Sequence, residues 1–316
     1  MLRTLLCAAI AGTFLHSGGA MAADVDYPTK PITMYIGYKA GGGTDTVGRV
    51  FAQFLARELG QQVNVVNQSG AGGGVAAMKV SRAKPDGYTL LFNPSSAVTA
   101  GPHITKNITV RIKDFEYAGT LAAFQGAIVS PKDAPYSKYK EFVAFAKKQG
   151  NVDYATISPF ARMAMQVIAE KEGFQVNYVP AKGSADTMSM LMGKQIEVAY
   201  SGGVHARYPD EIKTVIPISR KRQPGSPDLP TLMENGVDIS VDSQMLISAP
   251  KGTPDSIMNK LEKAVKAASE DESVKDIAQK MLYPIDFNGR ADTLEEMKRQ
   301  WQGYGQMVEV TGFKSK

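Results

Sequence analysis

Short apolar runs alternate with helical periodicity along most of the chain. Ile32 to Tyr38 reads as a buried strand, and beyond the glycine stretch Ala40 to Thr44 the residues Val47, Val50, Phe51, Phe54 and Leu55 recur at helical spacing on one face. Val63 to Val66 is a second strand, Ser69 to Gly74 a second glycine loop and Tyr88 to Phe92 a third strand. Strands separated by helical patterns predict βαβ units and a mainly parallel sheet, a Rossmann-like start.

A second series begins near Gly119. It predicts a strand at Ala127 to Val129, a helix at Ser137 to Lys148 stopped by Gly150, a strand at Asp153 to Ile157 and a helix at Ala161 to Glu172 stopped by Gly173. Both glycines stand where a left-handed residue ends a helix. Strand Val176 to Val179, helix Ser184 to Met192 and strand Ile196 to Tyr200 complete this set, and Arg220 to Pro230 predicts a connection. Beyond it come a strand at Met245 to Ala249, a helix opened by Thr253-Pro254-Asp255, another from Glu272, a strand at Pro284 to Phe287 and a last helix from Thr293.

The first 22 residues have another character. Arg3, an apolar run from Leu5 to Leu15 and the small-x-small end Ala20-Met21-Ala22 predict a cleaved export signal, giving a mature chain from Ala23 or Asp24. Cys7 lies inside the apolar run, too early for a lipoprotein anchor, and its removal leaves no cysteine, which suits an oxidising compartment. Loss of Arg3 lowers the formal charge from +5 to +4, and the remaining cations are scattered, so no nucleic-acid track is expected.

Three histidines and one cysteine leave little for a metal centre or a disulfide framework. No Gly-x-Ser-x-Gly elbow occurs, and His103 and His205 are read as surface or loop residues, so hydrolytic chemistry finds no support. Gly43 stands where a P-loop needs lysine, and Thr46 and Val75 where dinucleotide fingerprints need glycine. What survives is two glycine loops, each after a strand and before a helix, whose backbone N–H groups and helix-dipole ends favour an anion such as a carboxylate. Met163, Met165, Met188, Met190 and Met192 read as core, and Lys39 and Lys182 as solvated loop residues.

Several segments in order resemble the Bug family, the periplasmic receptors of tripartite tricarboxylate transporters. They are Tyr27-Pro28, Lys30-Pro31-Ile32, Gly41-Gly42-Gly43-Thr44-Asp45 with Arg49, Asn67, Gly70-Ala71-Gly72-Gly73, and Pro85-Asp86-Gly87-Tyr88-Thr89-Leu90-Leu91. The second half adds Val179-Pro180, Lys182-Gly183-Ser184-Ala185, Pro230-Thr231-Leu232, Glu234, Gly236, Ala249-Pro250 and Gly252-Thr253-Pro254, so the match runs from Tyr27 to Gly312. The resemblance implies a two-lobed α/β venus flytrap without a catalytic step, each lobe a mainly parallel sheet flanked by helices. Lobe 1 is expected over residues 24–118 plus 228–316 and lobe 2 over 119–227, with the ligand cleft between them.

In such receptors main-chain groups and waters of the first lobe hold one ligand carboxylate. On this chain those positions are Tyr38, Gly41, Gly42 and Thr44 in one loop, Ser69, Gly70, Ala71 and Gly72 in the other, and Ser95 and Ser96 after the third strand. Asp45 is read as a helix N-cap, because a carboxylate facing an anion would repel it. The second lobe departs from the family: Arg162 stands at the usual histidine, Ala181 at the usual tyrosine, and the stretch Thr156 to Ala161 is shorter and lacks glycine. Arg162 is expected to clamp the far end of a dicarboxylate, with Thr156, Ser158 and Ser201 as hydroxyl donors, while Ala181 and Phe160 leave room for, and stack upon, a bulkier or aromatic acid. No cofactor, metal or nucleic acid is implied. The expected product is a monomeric periplasmic receptor that delivers a small organic acid to transporter subunits in the membrane. A receptor serving a sensor kinase and a secreted α/β hydrolase are the competing readings.

Overall fold

Dense runs of Ile, Val, Leu and Phe pair into two separate sheets, and the computed structural model describes residues 26–313. The expected export signal lies outside the described residues. The chain opens β1 (Ile32–Ile36), α1 (Gly43–Leu59), β2 (Val63–Asn67), α2 (Gly74–Ser81) and β3 (Thr89–Pro94). Two short turns of helix, α3 (Ser96–Thr99) and α4 (Gly101–Ile104), lead to β4 (Phe115–Ala123). The second sheet follows: β5 (Ala127–Pro131), α5 (Tyr139–Gln149), β6 (Asn151–Ala155), α6 (Pro159–Glu172), β7 (Gln175–Val179), α7 (Ser184–Met192), β8 (Val198–Ser201) and β9 (Ile212–Pro217). The chain then returns through β10 (Gln244–Pro250), α8 (Asp255–Glu270), α9 (Glu272–Lys280), β11 (Ile285–Asn288) and α10 (Arg290–Thr311).

The strand order is β11-β4-β10-β3-β1-β2 in the first sheet and β7-β6-β8-β5-β9 in the second. Parallel pairing joins β1 to β2 and β3, and β6 to β7 and β8. Antiparallel pairing surrounds β10 in the first sheet and β5 in the second. These are the strands that enter each sheet just after the chain has crossed from the other, so they arrive from the crossing end and run against their neighbours. With β11 also antiparallel to β4, four pairings are parallel and five antiparallel, so both sheets are mixed and the mainly parallel expectation holds only within the βαβ portions.

Each sheet has its own core. Met34, Ile36, Phe51, Phe92 and Leu261 lie in the first, and Phe142, Tyr154, Ile168 and Val215 in the second. A smaller cluster of Ala100, Phe160, Met163, Tyr304 and Met307 joins the lobes along α10. The Tyr304 ring lies 4.3 Å from that of Phe160, and its hydroxyl donates to the carbonyl of Asp242 in the return crossing. The last helix thus touches both lobes. It also answers the expectation for Phe160, whose ring is covered by Tyr304 and is not available to stack on a ligand.

Local signals account for most boundaries. The left-handed Gly150 and Gly173 end α5 and α6 as their positions predict, and α8 opens after Thr253-Pro254. Two strands were not anticipated. β4 contains Gly119 at φ +148, so it reads as a break, and β9 is a six-residue run followed closely by the cations Arg220 to Arg222. No helix among the described residues is long and apolar enough to cross a membrane.

Candidate functional site

The two glycine loops leave the carboxyl ends of β1 and β2, the end of an open α/β sheet where ligands dock. Asn93, fully buried at the end of β3, fastens them together. Its Oδ1 accepts from the Gly37 N–H at 2.7 Å, and its Nδ2 donates to the Gly73 carbonyl at 3.1 Å. A Cβ on Gly37 would lie 2.5 Å from the Gly73 Cα, so only glycine permits this approach. The Tyr38 hydroxyl adds a third tie, donating to the Gly72 carbonyl at 3.0 Å.

This pinning aims the amino end of the 17-residue α1 at the space beside the second loop. Gly42 is the N-cap and carries no side-chain cap, which corrects the expectation for Asp45. Asp45 lies one turn inside and reaches back to accept from the Gly41 N–H at 2.8 Å, from Arg49 at 2.9 Å and from Asn67 at 2.7 Å. Burial alone would raise its carboxyl, but these donors hold it below the usual carboxylate range. Its charge is thereby matched inside the loop, which leaves the first-turn N–H groups of α1 with the positive end of the helix dipole. Gly41, Gly42, Ser69, Gly70, Ala71 and Gly72 are all exposed at this point, while Thr44 is buried.

The other expected residues are placed differently. Ser95 is fully buried; its hydroxyl donates to Gln300 at 2.8 Å and accepts from the Gln244 N–H at 3.1 Å, so it anchors α10 and the return strand. Ser96 is half-buried beside Ser243, 3.3 Å away. Thr156 accepts from the Ser158 N–H at 3.0 Å, and Ser158 caps α6 by accepting from the Ala161 N–H at 3.2 Å. Ser201 accepts from the N–H groups of Gly203 and His205 and meets His205 Nδ1 at 2.8 Å. Arg162 is exposed, its guanidinium 3.8 Å above the Tyr178 ring, and Ala181 packs half-buried against α7 and β8.

Opposite the glycine loops stand residues that no local pattern singled out. Tyr283 enters from the α9–β11 loop, its hydroxyl 2.5 Å from where a Cβ on Gly43 would stand. From the second lobe, Gly203 comes so close that its Cβ would lie 3.3 Å from the Leu282 carbonyl, which also accepts from Gln125 Nε2 at 3.0 Å. Burial pushes the phenols of Tyr38 and Tyr200 up to about 12, with Tyr283 beside both, so they are neutral donors at any physiological pH. Burial raises Tyr283 too, opposed by the nearby Arg207. His205 sits on the turn Val204–Arg207, its Nε2 3.0 Å from Thr214 Oγ1, and burial pushes it down to about 4. His103, on α4, sets its ring 4.3 Å from that of Trp301 at a tilt of 52°. A separate cavity of about 270 Å³ lies beside the crossings, lined by Phe124, Gln125, Arg220, Asp242 and Arg299 among others.

The profile of the tripartite tricarboxylate transporter family receptors matches residues 47–298. The chain belongs to this family. The matched span of the receptor contains the whole second sheet and both crossings. It is 33% identical to a UPF0065 protein in the gbd 5' region of Cupriavidus necator, over 85% of this chain and 83% of that one. Among solved structures, the receptor resembles a TctC solute binding protein from Polaromonas, with TM-score 0.80, 28% identity and coverage of 90% and 99%. It also resembles the periplasmic binding protein BugD, with TM-score 0.70, 28% identity and coverage of 92% and 100%. Two proteins of Rhodopseudomonas palustris share the fold at 23% and 21% identity, with TM-scores of 0.68 and 0.73; one is MatC with bound malate and the other is held with adipate.

Proposed function

We propose that the protein is a periplasmic receptor that captures a small dicarboxylate between its lobes and delivers it to the membrane subunits of a tripartite transporter, with no chemical step. The observation that carries this reading is the pair of glycine loops tied through Asn93, which turns the α1 amino end and the exposed backbone of Ser69 to Gly72 toward one point. Backbone donors and a helix dipole suit a carboxylate and offer nothing to move a proton. Malate and adipate, held by two neighbours of the same fold, are both dicarboxylates, which supports the same ligand class here. A ligand touching both lobes favours the closed form by the difference in its affinity for the two states.

A thermal-shift screen of the refolded mature protein against mono-, di- and tricarboxylates tests the ligand class. A ligand at 100 times its Kd adds about 2.7 kcal/mol of stability. A melting temperature unmoved by every carboxylate overturns the reading, and so does recovery of a converted product. Loss of uptake on deletion of the membrane subunits tests the delivery step.

A further inference from the structure

We infer that Arg207, on the second-lobe turn Val204–Arg207, supplies the cation for the ligand's distal carboxylate, with the Tyr283 hydroxyl beside it; this rests on the receptor reading above. The position expected to do so, Arg162, is already engaged: its guanidinium lies 3.8 Å over the Tyr178 ring, on a strand at the outer edge of the second sheet. Arg207 has no carboxylate within ion-pair distance among the described residues, and it is exposed.

Its turn is fixed in place. Ser201 accepts from the Gly203 and His205 N–H groups, and His205 is held from its other side by Thr214. Gly203 at φ +128 brings the turn against the Leu282 carbonyl of the first lobe, where Gln125 also docks. The next residue, Tyr283, reaches from there to Gly43 at the start of α1. Tyr283 therefore stands between the α1 amino end and the second-lobe turn that carries Arg207. An anion at each end of one small molecule meets backbone donors at one side and a planar pair of charged donors at the other. The tyrosines between them, Tyr38, Tyr200 and Tyr283, give flat apolar walls with hydroxyl edges for the body of the ligand.

Calorimetric titration with matched pairs decides the matter: adipate against hexanoate, and terephthalate against benzoate. The wild-type protein is expected to prefer a diacid over its monoacid partner. Arg207→Ala is expected to lower diacid affinity at least about tenfold while leaving the monoacid within about twofold, since a charged hydrogen bond carries that much. Arg207→Lys recovers part of the loss, because charge returns without the planar fork, and Arg162→Ala leaves the preference intact. Melting temperatures of the variants, all at exposed positions, confirm folding. If the wild type prefers a diacid and Arg207→Ala keeps that preference, or Arg162→Ala removes it, the inference is overturned and the receptor reading stands. If the wild type shows no preference for either diacid over its monoacid, the inference falls, and the receptor reading is decided separately by the carboxylate screen.

Discussion

The two lobes present polar groups to the cleft in opposite ways. On the first lobe they are backbone groups of two exposed glycine loops, which the buried side chains of Asn93 and Asp45 fasten from behind. On the second lobe the polar groups at the strand ends are hydroxyls, and those of Thr156, Ser158 and Ser201 are bonded to their own turns. A constant carboxylate seat can be built from main chain, whereas the variable half of a ligand must be read by side chains that remain unbonded. On that criterion Arg207 and Tyr283 qualify and the serines do not.

The largest test of this contrast is Asn93→Leu. It leaves the Gly37 N–H and the Gly73 carbonyl buried without partners, at about 1–3 kcal/mol for each orphaned group, and frees the two loops to separate. Denaturant unfolding should show the loss, and calorimetry should show carboxylate binding abolished; tight binding by a folded Asn93→Leu protein would break the claim that the seat depends on the fastening. Gly37→Ala acts on the same contact by overpacking and is expected to cost about 1–3 kcal/mol.

A pH series sharpens the second-lobe side. His205 stays neutral in the native protein down to about pH 4, whereas in the unfolded chain it takes up a proton near pH 6.5. The unfolded state therefore binds the proton first as pH falls, so this group's contribution is whole above pH 6.5 and is lost progressively between 6.5 and 4, by about 3 kcal/mol at most. The difference in unfolding free energy between wild type and His205→Gln, measured from pH 8 to pH 4, should shrink over that window; a constant difference would contradict the desolvation of the His205 ring between Ser201 and Thr214.

Smaller effects separate capping from binding. Ser158→Ala is expected to cost about 1 kcal/mol through the lost helix cap and to leave ligand affinity unchanged. Arg162→Ala should cost about 0.5–1 kcal/mol by removing the stacking on Tyr178. A large affinity loss in either, read by titration, would return the second-lobe site to the α6 amino end.

The long helices, both glycine loops and every strand but β4 and β9 were legible in the sequence because each is a local pattern: periodicity, a cap, a left-handed glycine. Asn93 was not, since a single buried amide after an apolar run carries no periodic signal, although Gly37 and Gly73 both demand a close partner. Tyr200 and Tyr283 are far apart in sequence and meet only when the lobes do. Arg207 was one of 36 cations until the turn around Ser201 placed it, and Arg162 drew notice by its position in a helix whose neighbours lie elsewhere. Ser158 and Thr156 have the composition of a binding loop and of a helix start alike; the bonds they make decide for the latter.

The most direct measurement is a crystal structure of the protein with a bound dicarboxylate, adipate first. One carboxylate is expected within hydrogen-bond reach of N–H groups in Gly42–Thr44 and Ala71–Gly72, with the other near Arg207 and Tyr283. A ligand seated instead in the cavity beside the crossings, against Arg220 and Arg299, would contradict that placement.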